Sequence, residues 1–130
     1  MEKIILNLET NRSGTAAVNF KKEFKDVEIK VGDGATIAYF SDRTPCTIIE
    51  IEDQGRWIKV QEDNYVRIDK NGMSDCQDYE YSRNPNGRIH TFKRTRKNKN
   101  VYTDNGVYTW GNYGSKLYFG YRERYYDYTF

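Results

Sequence analysis

The sequence predicts a mainly β fold, a small antiparallel barrel or sandwich (SH3-like or Greek-key-like) with one short N-terminal helix. Three observations lead there. Short apolar-alternating runs recur at roughly 8–12-residue spacing, the rhythm of an all-β domain. Turn sequences separate them, namely Gly32-Asp33-Gly34, Asp53-Gln54-Gly55, Lys70-Asn71-Gly72, Asn84-Pro85-Asn86-Gly87 and Asp104-Asn105-Gly106. Finally, 12 Tyr, 6 Phe and 2 Trp supply large rings with polar tips, so a chain of mean hydropathy -0.95 can still bury a core.

Each element follows from its residues. Ile4, Leu6 and Leu8 alternate and predict a first strand, closed by the turn Asn11-Arg12-Ser13-Gly14. Ala17, Phe20, Phe24 and Val27 fall at spacings of three and four, which predicts the helix, capped by Ser13 or Thr15. From Val31 onward the pattern is strand and turn. ATIAYF is a strand, SDRTP interrupts, and CTIIEIE resumes. RWIKVQE, YVRID, YEY, RIHTFKR and VYT follow in turn. Asp104-Asn105-Gly106 is a hairpin signal before VYTW, and KLYFGYR and YYDYTF close the chain. At 130 residues the chain is one domain, 1–130, with 1–30 as a strand and helix extension and 31–130 as the β domain.

The chemistry of most enzyme classes is missing. His90 is the sole histidine, GDGA lacks the Lys-Ser/Thr of a phosphate-cradling loop, and DKNGMSD has its glycine at the wrong place for a calcium loop. Cys46 and Cys76 form no CxxC and have one histidine to join them, so no metal site is expected; two buried thiols are the plainer reading over a disulfide. No catalytic residue, metal or cofactor is assigned, and a binding protein rather than an enzyme is expected. No apolar run approaches the ~18 residues of a membrane span, and the N-terminus lacks the pattern of a secretory signal. A cytoplasmic protein is therefore expected.

Binding candidates come from arginines set among aromatics. The formal charge is only +2, yet Ser82–Asn100 holds seven basic side chains and no carboxylate. Within it, Arg83, Asn84, Asn86 and Arg88 sit on a turn fixed by Pro85 and Gly87. Arginine offers a planar fork that matches phosphate, and asparagine a donor and an acceptor for a base edge. An ordinary Asn-Pro-Asn-Gly turn is an equal reading. Lys93–Lys99 reads as solvated surface. Two further corners have the same character: Asp42 and Arg43 beside Tyr39 and Phe40, and Arg122 and Arg124 among Tyr121, Tyr125 and Tyr126. Arginines here could equally stack on neighbouring rings and reach water. Three such corners point to a pocket for a flat, phosphorylated ligand. The aromatic content exceeds what one core buries, which predicts a homo-oligomer.

The series VGDGATIAYFSDRTPCTIIEI, VQEDNYVRIDKNGMSD, YEYSRNPNGRIHTF and GYRERYYDYTF resembles the first-described Thoeris anti-defence family of phage proteins, over about Val31 to Phe130. The resemblance implies a non-enzymatic sponge in the host bacterial cytoplasm that sequesters cyclic ADP-ribose isomers made by TIR-domain immune enzymes. It also implies oligomers from dimers up to hexamers, and in some relatives binding of cyclic oligonucleotides. Carried onto this chain, it makes Arg122 the candidate to grip the pyrophosphate, followed by Arg43, Arg83 and Asn86. Asp42, Phe40, Tyr121 and Arg124 complete the expected ligand-binding set. Residues 1–30 and 93–115 fall outside the resemblance. The competing readings are a small β-barrel nucleic-acid-binding module and a protein inhibitor of a host enzyme.

Overall fold

Alternating residues organise ten strands in a computed structural model that describes residues 2–9, 24–39, 42–72, 77–95, 101–104 and 115–125. The strands are β1 (Lys3–Glu9), β2 (Phe24–Lys30), β3 (Gly34–Ala38), β4 (Arg43–Glu52), β5 (Trp57–Glu62), β6 (Asn64–Arg67), β7 (Tyr79–Ser82), β8 (Ile89–Arg94), β9 (Tyr102–Thr103) and β10 (Lys116–Phe119). Six of them close into an antiparallel barrel in the order β10-β3-β4-β5-β8-β9, while β1-β2 and β6-β7 form separate two-stranded sheets. Closure removes the unpaired edges that an open sheet of this size would expose.

Inward-facing side chains fill the barrel: Ala35, Ile37, Cys46, Ile48, Ile51, Ile58, Val60, Phe92, Tyr102, Leu117 and Phe119 are all buried. Tyr102 and Phe119 meet edge to face at 5.4 Å, the arrangement that ring quadrupoles favour. A register shift between Ile48 and Glu50 accounts for one break in alternation. Such a bulge adds one residue to its strand, so Ile48 and Ile51, three positions apart, both point inward.

Over the described residues the expected N-terminal helix does not form. Phe24 and Val27 lie in β2, which pairs antiparallel with β1 in the register Leu6↔Val27; residues 10–23 lie outside the described residues. The reason is visible in FKDVEIK, where Val27 and Ile29 alternate with Asp26, Glu28 and Lys30. That period of two, carried by β-branched residues, overrides the spacing of three and four that joins Phe20, Phe24 and Val27. Among the described residues the sole helical element is a three-residue 3₁₀ turn, Asp53–Gly55. No helix among them is long and apolar enough to cross a membrane.

The β1-β2 pair joins the same core, because Leu6, Leu8 and Ile29 pack with the barrel residues. A second correction concerns SDRTP. Rather than interrupting, its Arg43-Thr44-Pro45 opens β4, with Ala38 opposite Arg43 and Thr36 opposite Pro45. The Asp104-Asn105-Gly106 hairpin signal and the YYDYTF strand fall mostly outside the described residues.

Candidate functional site

The outer face of the barrel carries a buried carboxylate on which two arginines converge. Asp63 follows β5 directly and is held in place by its backbone N–H, which donates to the Pro45 carbonyl at 3.0 Å. Its side chain is 1% exposed. The Arg122 Nε donates to Asp63 Oδ2 at 2.7 Å, and Arg122 Nη2 donates to Thr47 Oγ1 at 3.0 Å. Thr47 Oγ1 in turn donates to Asp63 Oδ1 at 2.7 Å. The Arg83 Nη1 stands 3.9 Å from the same Oδ1, with its side chain half exposed. A buried anion must be paired and hydrogen-bonded to be tolerated. Here one anion faces two guanidinium groups.

Arg83 is aimed by the turn that follows it. Gln61 donates from Nε2 to the carbonyls of Pro85 (3.0 Å) and Gly87 (3.1 Å) and accepts from Arg83 Nη2 at 3.2 Å. Both ends of one amide therefore bind the turn to β5. Within the turn Gly87 N–H donates to the Asn84 carbonyl at 3.0 Å, and Asn86 N–H donates to Asn84 Oδ1 at 3.0 Å. Tyr81, Ser82, Arg83 and Arg122 line an open cleft of about 480 Å³, inside the ~300–1,000 Å³ that small-molecule sites occupy.

A second corner adjoins the cleft through Tyr81. Its Oη accepts from the Arg124 backbone N–H at 2.9 Å, and burial pushes its phenol above the ordinary tyrosine value, so the ring is neutral at pH 7. The Arg124 guanidinium lies 4.6 Å over the Tyr65 ring and reaches the Arg43 carbonyl and Thr44 Oγ1, each at 3.4 Å. Arg43 exchanges backbone hydrogen bonds with Tyr125 at 2.9 and 3.0 Å. Its Nη1 donates to the carbonyls of Tyr39 and Asp42 at 3.2 and 3.0 Å, which ties the two ends of the β3-β4 connection together.

The expected residues thus separate into groups. Arg122 and Arg83 come together in the cleft. Arg124, Arg43 and Asp42 gather at the neighbouring corner, where Arg43 and the Asp42 carbonyl hold backbone. Tyr121 contributes its carbonyl, which accepts from Thr36 Oγ1 at 2.7 Å. Asn86 is exposed on the turn and is not part of the cleft lining. Phe40 lies outside the described residues. Sequence reasoning missed Asp63, Thr47, Gln61, Tyr65, Tyr81 and Ser82. Asp63 and Gln61 sit in QED at a strand end, a pattern that looks like solvated polar residues until the register places Thr47 opposite Gln61.

Two other groups bear on chemistry. His90 Nε2 lies 2.6 Å from Glu62 Oε2, the pair linking the end of β5 to the start of β8. Burial and the Asp63 carboxylate push the Cys46 thiol far up, which removes it as a nucleophile at neutral pH. Against known protein families, curated proteins and solved structures, the chain shows no match.

Proposed function

We propose that this chain is a non-enzymatic binding protein that sequesters a cyclic ADP-ribose-type nucleotide in the cleft between Arg83 and Arg122. The observation that carries this reading is the pair of guanidinium groups set around the single buried carboxylate of Asp63. Arginine forks match a phosphate, Arg83 is half exposed, and the guanidinium of Arg122 is already oriented, so a ligand need not order it. Tyr81 lines the cleft and is the aromatic side chain there on which a flat base would stack. Micromolar binding needs about 8 kcal/mol. An arginine–phosphate contact supplies ~1.5–3 kcal/mol and a stacked base ~1–3 kcal/mol, so two of the first and one of the second approach that figure. Sequestration requires no bond to break. A sponge of this kind, acting in a host cytoplasm, would blunt an alarm signal by abundance.

The test is thermal unfolding with cyclic ADP-ribose isomers, cyclic oligonucleotides or a short DNA duplex, each at low and high salt. A ligand at ~100 times its dissociation constant adds ~2.7 kcal/mol of stability. Stabilisation by a cyclic ADP-ribose isomer, abolished in Arg122→Gln and with the ligand recovered intact, supports the proposal. Stabilisation by DNA alone, lost at high salt, would replace it with the nucleic-acid reading.

A further inference from the structure

The chain leaves the barrel at Asp63 and rejoins it at Arg88, whose carbonyl accepts from Glu62 N–H at 2.9 Å. Between these points β6 and β7 pair with each other, from Asn64↔Ser82 to Arg67↔Tyr79. Among the described residues no ladder joins either strand to the barrel. The two faces of this hairpin differ. Register places Tyr65, Arg67, Tyr79 and Tyr81 on one face and Val66 with Glu80 on the other. Val66 is 65% exposed, so the second face looks outward.

The hairpin is stiffened from within. The Asp69 carboxylate accepts from Arg67 Nε at 3.1 and 2.9 Å and from the backbone N–H groups of Asn71 (2.9 Å) and Asp78 (2.7 Å). Its inner face is tied to the C-terminal segment through Arg124, by the Tyr81 hydroxyl and the Tyr65 ring. A two-stranded sheet alone is marginal in water, so such ties fix its position. The cleft lies across this seam, with Tyr81 and Ser82 contributed by the end of the hairpin, and Arg83 and Arg122 held on the barrel side by Gln61 and Asp63.

We propose that the β6-β7 hairpin is a flap, hinged at Asp63-Asn64 and Ser82-Arg83 and latched by Arg124, whose docking brings Tyr81 to the cleft and which closes over the bound ligand. A ligand touching both sides of the seam holds the docked state by population shift. Closure on a nucleotide rests on the proposed function; opening of the flap in the free protein does not.

The experiment is a spin-label distance measurement on the full chain carrying Cys76→Ser, with labels at Val66→Cys on the outer hairpin face and Thr91→Cys on β8. Cys46 is buried and escapes labelling. In free protein two distances are expected. The fraction at the longer one should rise about two- to fivefold in Tyr65→Leu, the shift expected when an exposed cation–π contact is lost. Tyr81→Phe, which removes the acceptor for Arg124 N–H, should shift the same way. Added cyclic ADP-ribose should collapse the distribution to the shorter distance. One narrow distance, unmoved by either substitution, would overturn the flap. A shift with both substitutions but none with the nucleotide would keep the flap and overturn closure on this ligand.

Discussion

The guanidinium of Arg122 lies against the bare Cα of Gly34. A Cβ built there would stand 2.5 Å from Arg122 Nη1, 2.7 Å from Cζ and 2.9 Å from Cγ. Gly34 has no left-handed backbone to explain it, so the requirement is space. The glycine lets the arginine lie flat across β3 and reach Asp63 and Thr47 at once.

Gly34→Ala should therefore act through Arg122. The whole side chain must lift, which breaks its bond to a carboxylate that water cannot reach. The expected loss is about 1–3 kcal/mol of stability, measured by urea unfolding, together with loss of nucleotide affinity. Unchanged stability would mean that the Arg122–Asp63 contact contributes nothing to the fold.

Gly87→Ala should cost more than Gly34→Ala. Its Cβ would fall 2.1 Å from the Glu62 carbonyl oxygen and 3.1 Å from that of Asn84, and backbone cannot step aside as a side chain can. The turn must rearrange, releasing Gln61 and with it the orientation of Arg83. By contrast, Asn86→Ala removes an exposed side chain outside the cleft lining and should change stability by no more than about 0.5 kcal/mol. Comparison of the three urea curves and their nucleotide affinities ranks them. A loss of affinity in Asn86→Ala would instead place that side chain on the ligand.

The strands from β3 to β8 were legible because each carries its own alternation and its own turn. Arg122 and Arg83 were legible as chemistry, since arginine among tyrosines is a local signal. Asp63 was not, because its role depends on neighbours 16 and 59 positions away, Thr47 and Arg122. Only the barrel register brings them together. The helix expectation failed for a related reason. Val27 fits both periods, and the choice between them is made by β1, which lies across it in space and not beside it in sequence.

Acid should loosen the hairpin. The Arg67 guanidinium, then the Asn71 and Asp78 amides, hold the Asp69 carboxyl far below its ordinary value of 3.8. A depressed folded value stabilises the folded state at pH above the unfolded value, and that contribution is lost as pH falls below it. Asp69→Asn should therefore destabilise the β6-β7 hairpin at pH 7, and the difference from the parent should shrink progressively below pH 3.8. Amide exchange of Tyr65 and Tyr81 at pH 7 and at acid pH follows this. An equal difference at both would mean that the carboxylate's charge plays no part.

Alkali should find a different weak point, Tyr102. The side chain is fully buried, and its hydroxyl donates to the Gly55 carbonyl. That carbonyl belongs to a turn in which Asp53, Gln54 and Gly55 all have positive φ, a conformation that side chains adopt at a cost. The bond secures the turn from inside the barrel. Tyr102→Phe keeps the ring and its packing on Phe119 but leaves the carbonyl without this donor, a loss of about 1–3 kcal/mol at pH 7. Burial pushes the phenol from 10.0 up to about 12, against the pull of Arg94. Between those values the unfolded chain releases this proton while the folded chain keeps it. The parent protein therefore loses stability as pH rises through that window, at about 1.4 kcal/mol per pH unit once the unfolded phenol is ionised. Tyr102→Phe has no such proton to lose, and its other tyrosines titrate as in the parent. The two stabilities should differ at pH 7 and converge between pH 10 and 12. Urea midpoints across that range decide it, and curves that stay parallel would show that Tyr102 titrates alike in both states.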